Sequence, residues 1–288
     1  MIKQSMLACG TLSYRQEPLQ RALEGIARGG FGGVEIGCVC GYCEHIKPEE
    51  MSLADVQSLA KHVRRFGLTI TSLAGHIDLQ FPLIGKGPQA AAEGYRRLRA
   101  RVDVASHLGT PIVNTGLGVA RAGESLESFY RDFGQLLDYA AGRDVKIGLE
   151  SHAGLTETAK ASLDLCRRMG RPNLGVNHDA GNVRFYAGLD PVADLASVVD
   201  QIGPYLIHVH IKDHRGGKGE WDFPPLGEGS IDLKGLAALY RKVGFVGPYS
   251  LEIEFKGPGS TDPTPQIIDD GVAKSYQFMK QLKLMEAT

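Results

Sequence analysis

No run of apolar residues in this chain approaches the roughly 20 that a membrane-spanning helix needs. Basic runs are also missing. The densest, Arg96-Arg97-Leu98-Arg99-Ala100-Arg101, lies in a helical pattern and reads as a solvated face. A formal net charge of -1 over 288 residues offers no field for nucleic acid or for an anionic membrane. Met1-Ile2-Lys3-Gln4 lacks the charged-then-apolar layout of a secretory leader. The expectation is a cytoplasmic protein with no nucleic-acid or membrane partner. Cysteine is scarce and odd in number, five in all, which argues against a disulfide framework. Three of the five crowd into CVCGYC as Cys38, Cys40 and Cys43, but the next is Cys166, and even with His45 the spacing matches no zinc ribbon. Reduced thiols in a loop are expected. The remaining composition, 43% hydrophobic and 23% charged, is that of an ordinary globular protein.

Against this background Leu206–Arg215, LIHVHIKDHR, stands out. Apolar Leu206, Ile207, Val209 and Ile211 make a strand, and His208 and His210, two apart, share one of its faces. Lys212, Asp213 and His214 crowd its exit, as at the lip of an active site. The rest of the chain repeats the design. Strand-like runs at Ser5–Gly10, Gly33–Gly37, Leu68–Leu73, Pro111–Gly116, Val145–Leu149, Leu174–Val176, Tyr205–Ile211 and Tyr249–Phe255 alternate with stretches of helical period. The helical stretches are Leu19–Ala27, Pro48–Phe66, Gln89–Leu108, Glu124–Ala141, Glu157–Met169, Val192–Ile202, Lys234–Val243 and Pro265–Leu284. Eight such units of about 35 residues match the period of an α/β fold, the (β/α)8 TIM barrel. No linker or shift in composition divides residues 1–288, so one barrel domain is expected.

Barrels of this kind place function at the carboxyl ends of their strands. Glu35, His76, Glu150, His152, Asp179, His210 and Glu252 fall there, although apolar residues alone define the strands. Each has an ordinary alternative. Glu150 could pair with Lys146 or Lys212, Asp179 could cap the turn Asp-Ala-Gly-Asn, and a lone strand histidine is usually a satisfied core residue. Glu252 and Glu254 share a face, so at least one looks into the barrel. Together, two glutamates, an aspartate and a histidine on strands five to eight make an oxygen-rich set with one nitrogen. Such a set suits one divalent metal ion: Mn²⁺ first, with Mg²⁺, Co²⁺ or Fe²⁺ as alternatives.

Six segments in order, GGFGGVEIG at Gly29–Gly37, GLESH at Gly148–His152, VNHDAGN at Val176–Asn182, HVHIKDH at His208–His214, PPLGEGSID at Pro224–Asp232 and YSLEIE at Tyr249–Glu254, carry a resemblance that runs nearly end to end. The chain resembles the sugar-phosphate isomerase/epimerase family of xylose-isomerase-like TIM barrels. That group includes ketose 3-epimerases, inosose dehydratases and isomerases, hydroxypyruvate isomerases and, more distantly, endonuclease IV. The resemblance implies metal ligands at Glu150, Asp179, His210 and Glu252, with His208 and Glu254 in support. It implies that Glu150 and Glu252 are the catalytic pair. They would move a proton off and onto the carbon beside a ketone through an enediolate, while the divalent ion polarises the ketone. The substrate would be a keto-sugar, a sugar phosphate or an inosose, and the enzyme an isomerase or epimerase. If a β-hydroxyl or glycosidic oxygen leaves instead, the same site belongs to a dehydratase or lyase. A non-catalytic sugar-binding barrel is the remaining alternative, and its mark would be a broken ligand set. The resembled group also implies a homodimer or homotetramer.

The chain departs from the ketose 3-epimerase pattern at three places: Asn182 stands for a histidine, Thr156 for a glutamate and Gly216 for an arginine. These departures point away from a free-ketohexose 3-epimerase, toward the sugar-phosphate, inosose and keto-sugar enzymes. Candidate substrate contacts are Glu35, His76, His152, Asn182, Lys212 and Arg215. For Lys212 the alternative is an ion pair with Asp213 or Glu150. A trinuclear DNA-repair site would need a histidine at Asn182 and an Asp-x-His after strand seven, and neither is present. Gly216–Gly229 is long enough for a lid or binding loop. Trp221 or Phe223 within it is expected to close the site or an oligomer interface, against the alternative of a packed surface loop.

Overall fold

In the computed structural model, which describes residues 5–257 and 262–285, eight parallel strands close on themselves. They are β1 (Met6–Gly10), β2 (Gly33–Val39), β3 (Thr69–Ala74), β4 (Ile112–Thr115), β5 (Lys146–Glu150), β6 (Leu174–Asp179), β7 (Leu206–Ile211) and β8 (Pro248–Leu251). β1 pairs with both β2 and β8, which seals the barrel. The outer ring is α1 (Leu19–Arg28), α2 (Leu53–Arg65), α3 (Pro88–Leu108), α4 (Glu127–Ala141), α5 (Ala159–Met169), α6 (Pro191–Ala196), α7 (Leu233–Lys242) and α8 (Pro265–Gln281). Strands between such helices and a filled interior are buried on both faces, and β2 is buried along its whole length. Met1–Gln4, considered above for leader character, lie outside the described residues.

Several boundaries differ from those the sequence suggests. Pro48–Phe66 divides into a 3₁₀ turn, Pro48–Glu50, and α2, because Ser52 and Asp55 form a reciprocal capping box that starts the helix afresh. Val192–Ile202 divides where Val198 leaves helical geometry. The eighth strand stops at Leu251, and Phe255–Lys256 instead pairs antiparallel with Asp222–Phe223 from the long loop after β7. β6 runs on through Asn177 to Asp179, where the polar sequence had suggested an exit. The cysteines are free and buried; Arg101 Nη2 donates to Cys38 O at 2.8 Å and to Cys40 Sγ at 3.1 Å.

The reason for β6's polar end is a hydrogen-bonded layer inside the barrel. Asn114 Nδ2 donates to Glu35 Oε1 at 2.7 Å, and Ser250 Oγ donates to Glu35 Oε2 at 3.1 Å. His208 joins Asn177 Oδ1 (2.9 Å) and Ser72 Oγ (3.0 Å). Gly148 on β5 makes room for this layer: a Cβ there would stand 2.1 Å from Asn114 Oδ1. Buried polar groups are tolerated when their partners are present, and in this layer only Asn114 Oδ1 among the atoms named goes without one.

The first and last helices are tied by a single carboxylate. Asp269 on α8 accepts from Tyr14 OH (2.9 Å), Arg21 Nη2 (2.7 Å) and Arg28 Nη2 (3.0 Å). Burial alone would raise the Asp269 pKa, but the hydrogen bonds from Arg21 and Tyr14 hold it below the ordinary value. A carboxylate depressed on folding stabilises the protein above its unfolded pKa of about 4, and that stabilisation is lost as pH falls. Asp269→Asn is therefore expected to cost about 1 kcal/mol at pH 7, less in high salt, and less near pH 3. Urea denaturation of both proteins at the two pH values measures this; an equal loss at both would rule out an ionic role.

Candidate metal centre and active site

Four strand ends converge. Glu150 closes β5, Asp179 closes β6, His210 lies near the end of β7, and Glu252 is the first residue past β8. His210 Nδ1 stands 3.2 Å from Glu150 Oε2 and 3.5 Å from Asp179 Oδ2, and His210 Nε2 stands 3.6 Å from Glu252 Oε1. One donor atom from each of the four lies within 4.8 Å of the others, and all four residues are buried. Asp179 divides its duties. Its Oδ1 accepts the Asn182 N–H at 2.9 Å and so does cap the following turn, while Oδ2 is buried with no hydrogen-bond partner. That oxygen faces two more carboxylates, the His210 imidazole and, at 3.5 Å, the Lys212 ammonium; three buried carboxylates so close together are costly unless further positive charge joins them. Three oxygens and one nitrogen fit a divalent ion such as Mn²⁺, Mg²⁺, Co²⁺ or Fe²⁺.

The protein's own groups divide the glutamates. Burial would raise the Glu150 pKa, but His76 and His210 beside it hold it well below the usual range. His76 Nε2 is 2.7 Å from Glu150 Oε2, and Asn182 Nδ2 donates to Oε1 at 2.8 Å. For Glu252 burial prevails over His210 and Lys212, and the charges of Glu150 and Glu254 add to it, pushing the pKa up to about 7. No lysine is the main partner of Glu150.

Above the four residues lies a cavity of about 580 Å³, counting solvent at its mouth. His76, Asp78, His152, Asn182, Lys212 and Glu254 line its polar side; Tyr42, Phe185, Tyr186, Trp221 and Phe223 make an aromatic wall. Lys212 Nζ lies 3.1 Å from Glu252 Oε2, 3.5 Å from Asp179 Oδ2 and 3.3 Å from Asn182 Oδ1, touches Glu254, and sits 4.6 Å above the Phe223 ring. Lys212 is thus ion-paired, though with partners other than Asp213 or Glu150. Asp78 Oδ2 is 3.1 Å from His152 Nδ1, whose Nε2 meets Tyr186 OH at 2.8 Å. The ribbon of Asp222–Phe223 with Phe255–Lys256 brings Trp221 and Phe223 against the site, and Phe255 has a positive φ of 56°.

Two of the candidate substrate contacts, Glu35 and Arg215, are not brought to the cavity wall. Glu35 lies in the barrel interior and not on the cavity wall, because β2 continues to Val39 and leaves it well short of the strand end. It is fully buried, with its Oε2 2.8 Å from His210 Nε2. Arg215 has left the barrel rim; it faces Asp222 and Glu228, each 3.7 Å away, along a separate surface groove. His76, His152, Asn182 and Lys212 do line the cavity. Asp78, Tyr186, Phe185 and Tyr42 join them unforeseen. For Asp78 the two-residue spacing from His76 was a usable signal. Tyr186 and Phe185 sit in a π turn, Val183–Ala187, that propensity does not announce.

The model of the xylose isomerase-like TIM barrel family matches residues 23–282. The chain belongs to this family. A 3-dehydroshikimate dehydratase of Pseudomonas aeruginosa is 28% identical over 274 residues; the match covers 91% of this chain and 40% of that protein, so the chain spans about two fifths of that relative. Among solved structures, a D-allulose 3-epimerase from Methylomonas sp. in complex with D-allulose superimposes with a TM-score of 0.74 at 21% identity, over 97% of each chain. The IOLI protein with a binding zinc atom gives 0.75 at 17% identity, over 96% of this chain and 97% of that one. At such identities the solved structures speak for the fold alone. Metal analysis of the purified protein is expected to find about one divalent ion per chain, lost in a Glu150→Gln, His210→Ala double variant that keeps its circular dichroism. A wild-type chain that takes up no Mn²⁺, Co²⁺ or Mg²⁺ would exclude the centre.

Proposed function

We propose that the protein is a divalent-metal-dependent isomerase or epimerase that moves a proton at a carbon next to the keto group of a sugar-like substrate. The observation that carries this reading is the placement of two buried glutamates, Glu150 and Glu252, on either side of Asp179 and His210 at the floor of one cavity. These four residues would hold the ion. Bound there, it would polarise a ketone and its neighbouring hydroxyl and acidify the carbon-bound hydrogen between them.

The remaining work falls to the chain. Glu150, kept ionised by His76 and His210, is the group that accepts the proton. Asn182 fixes the Glu150 carboxylate through its Oε1, which leaves the base one orientation. Glu252, across the cluster, returns a proton from the other side, which inverts the carbon or completes an isomerisation. Lys212 Nζ, held by Glu252 and Asn182, offers a charged donor to oxygen that gains negative charge. The aromatic wall excludes water from the carbanion.

A second reading shares these steps. If a β-hydroxyl departs after Glu150 takes the proton, the enzyme is a dehydratase, and the Pseudomonas aeruginosa relative bears that name. A non-catalytic barrel would be marked by a broken ligand set, and the four donors are intact.

Incubating the metal-loaded protein with keto-sugars and inososes in D₂O tests the reading. Exchange of a carbon-bound hydrogen with the skeleton retained marks the isomerase or epimerase; loss of water marks the lyase. Glu150→Gln is expected to slow exchange by about 10²- to 10⁴-fold. No exchange with any keto-sugar, with the metal bound, would sink the enzymatic reading.

A further inference from the structure

We propose that the cavity takes an electrically neutral keto-polyol and rejects the corresponding phosphate ester. This deepens the proton-transfer reading and rests on it. Three separate observations carry it.

The first is charge. Among the residues lining the cavity, Lys212 alone is a lysine or arginine, and Glu252, Glu254 and Asp179 already surround its ammonium. Four carboxylates, Glu150, Asp179, Glu252 and Glu254, gather around that one lysine, and a fifth, Asp78, lines the cavity beside His76 and His152. A dianionic phosphate would enter against these carboxylates, and the nearby Arg15 guanidinium is already engaged by Glu254 O at 3.1 Å and the Tyr42 ring.

The second is the loop after β7. Barrels often build a phosphate cradle from backbone N–H groups in the loops after strands seven and eight. In the loop after β7 those donors converge on the chain's own carboxylate. Asp213 Oδ2 accepts from Gly227 N and Gly229 N at 3.0 Å each, and Oδ1 accepts from His214 N at 2.9 Å and Ile231 N at 3.2 Å. A Cβ at Gly229 would lie 2.0 Å from Asp213 Oδ1, so the loop is closed tightly over this internal anion. No room remains in it for a second one.

The third is the wall. Trp221 packs edge-to-face on Phe185 and Phe223, both at 5.5 Å between ring centroids, and on Tyr42 at 6.2 Å. Such a surface suits the C–H face of a polyol ring and would strip water from a phosphate without replacing it.

Trp221 is the sole tryptophan, so its fluorescence reports directly on the cavity. The Mg²⁺-loaded protein is titrated with D-fructose, D-allulose and an inosose, and with fructose 6-phosphate and allulose 6-phosphate; hydrogen exchange in D₂O is followed on the same samples. Expected is a change in Trp221 emission, and exchange, with at least one neutral ketone. Each ester should bind at least about tenfold more weakly than its parent, and millimolar inorganic phosphate should not displace the neutral sugar. An ester that binds or exchanges as well as its parent, or phosphate that competes, overturns the substrate class and leaves the reaction class intact. Exchange with no sugar in either form instead overturns the proton-transfer reading, and this inference falls with it.

Discussion

Crowded negative charge governs this molecule. Five carboxylates meet at one end of the barrel, most of them out of contact with water, with one lysine and a few histidines to answer them. Buried like charges are tolerated only when fixed dipoles and counter-charges surround them. The interior is built accordingly. Asn114, Asn177, Ser72, Ser250 and His208 replace the branched aliphatic residues that fill many barrels, and each engages a neighbour. Glu35 belongs to this support. Its carboxylate stands against His210 Nε2, which leaves Nδ1 turned toward Glu150 and Asp179.

The same crowding explains why one architecture hosts related reactions. A site that holds a base ionised beside a carbonyl accomplishes the difficult step, and the fate of the resulting carbanion depends on what surrounds it. Asn182 illustrates the point. Its amide bridges Glu150 Oε1 and Lys212 Nζ, where an imidazole would bring a titratable proton. A neutral bridge fixes both groups without adding charge.

The fold was legible because parallel strands under helices read as apolar runs, and caps and glycines punctuate them. The converging carboxylates were legible for a related reason: an ionisable residue at the end of such a run has few places to go. Depth was harder to read. Glu35 directly follows apolar Val34 and Asp179 follows the polar pair Asn177-His178, yet it is Glu35 that sits in mid-strand and Asp179 that ends its strand, since pairing decides where a strand stops. Asp179 also shows that the ordinary and the functional explanations need not compete, as one oxygen caps a turn and the other faces the cluster. Tyr42, Phe185 and Tyr186 come from loops and a π turn, where periodicity carries no information; Tyr42 and Phe185 meet Trp221 only through tertiary structure, and Tyr186 packs on Phe185.

The short ribbon of Asp222–Phe223 with Phe255–Lys256 has a mechanical consequence. Phe255 follows Glu252 by three residues and adopts a left-handed conformation that a bulky side chain ordinarily avoids. The aromatic wall is therefore harnessed to the segment that carries Glu252 and Glu254. Only Ile253 and Glu254 separate Glu252 from the ribbon, so one short stretch of backbone anchors both the floor of the cavity and its aromatic wall.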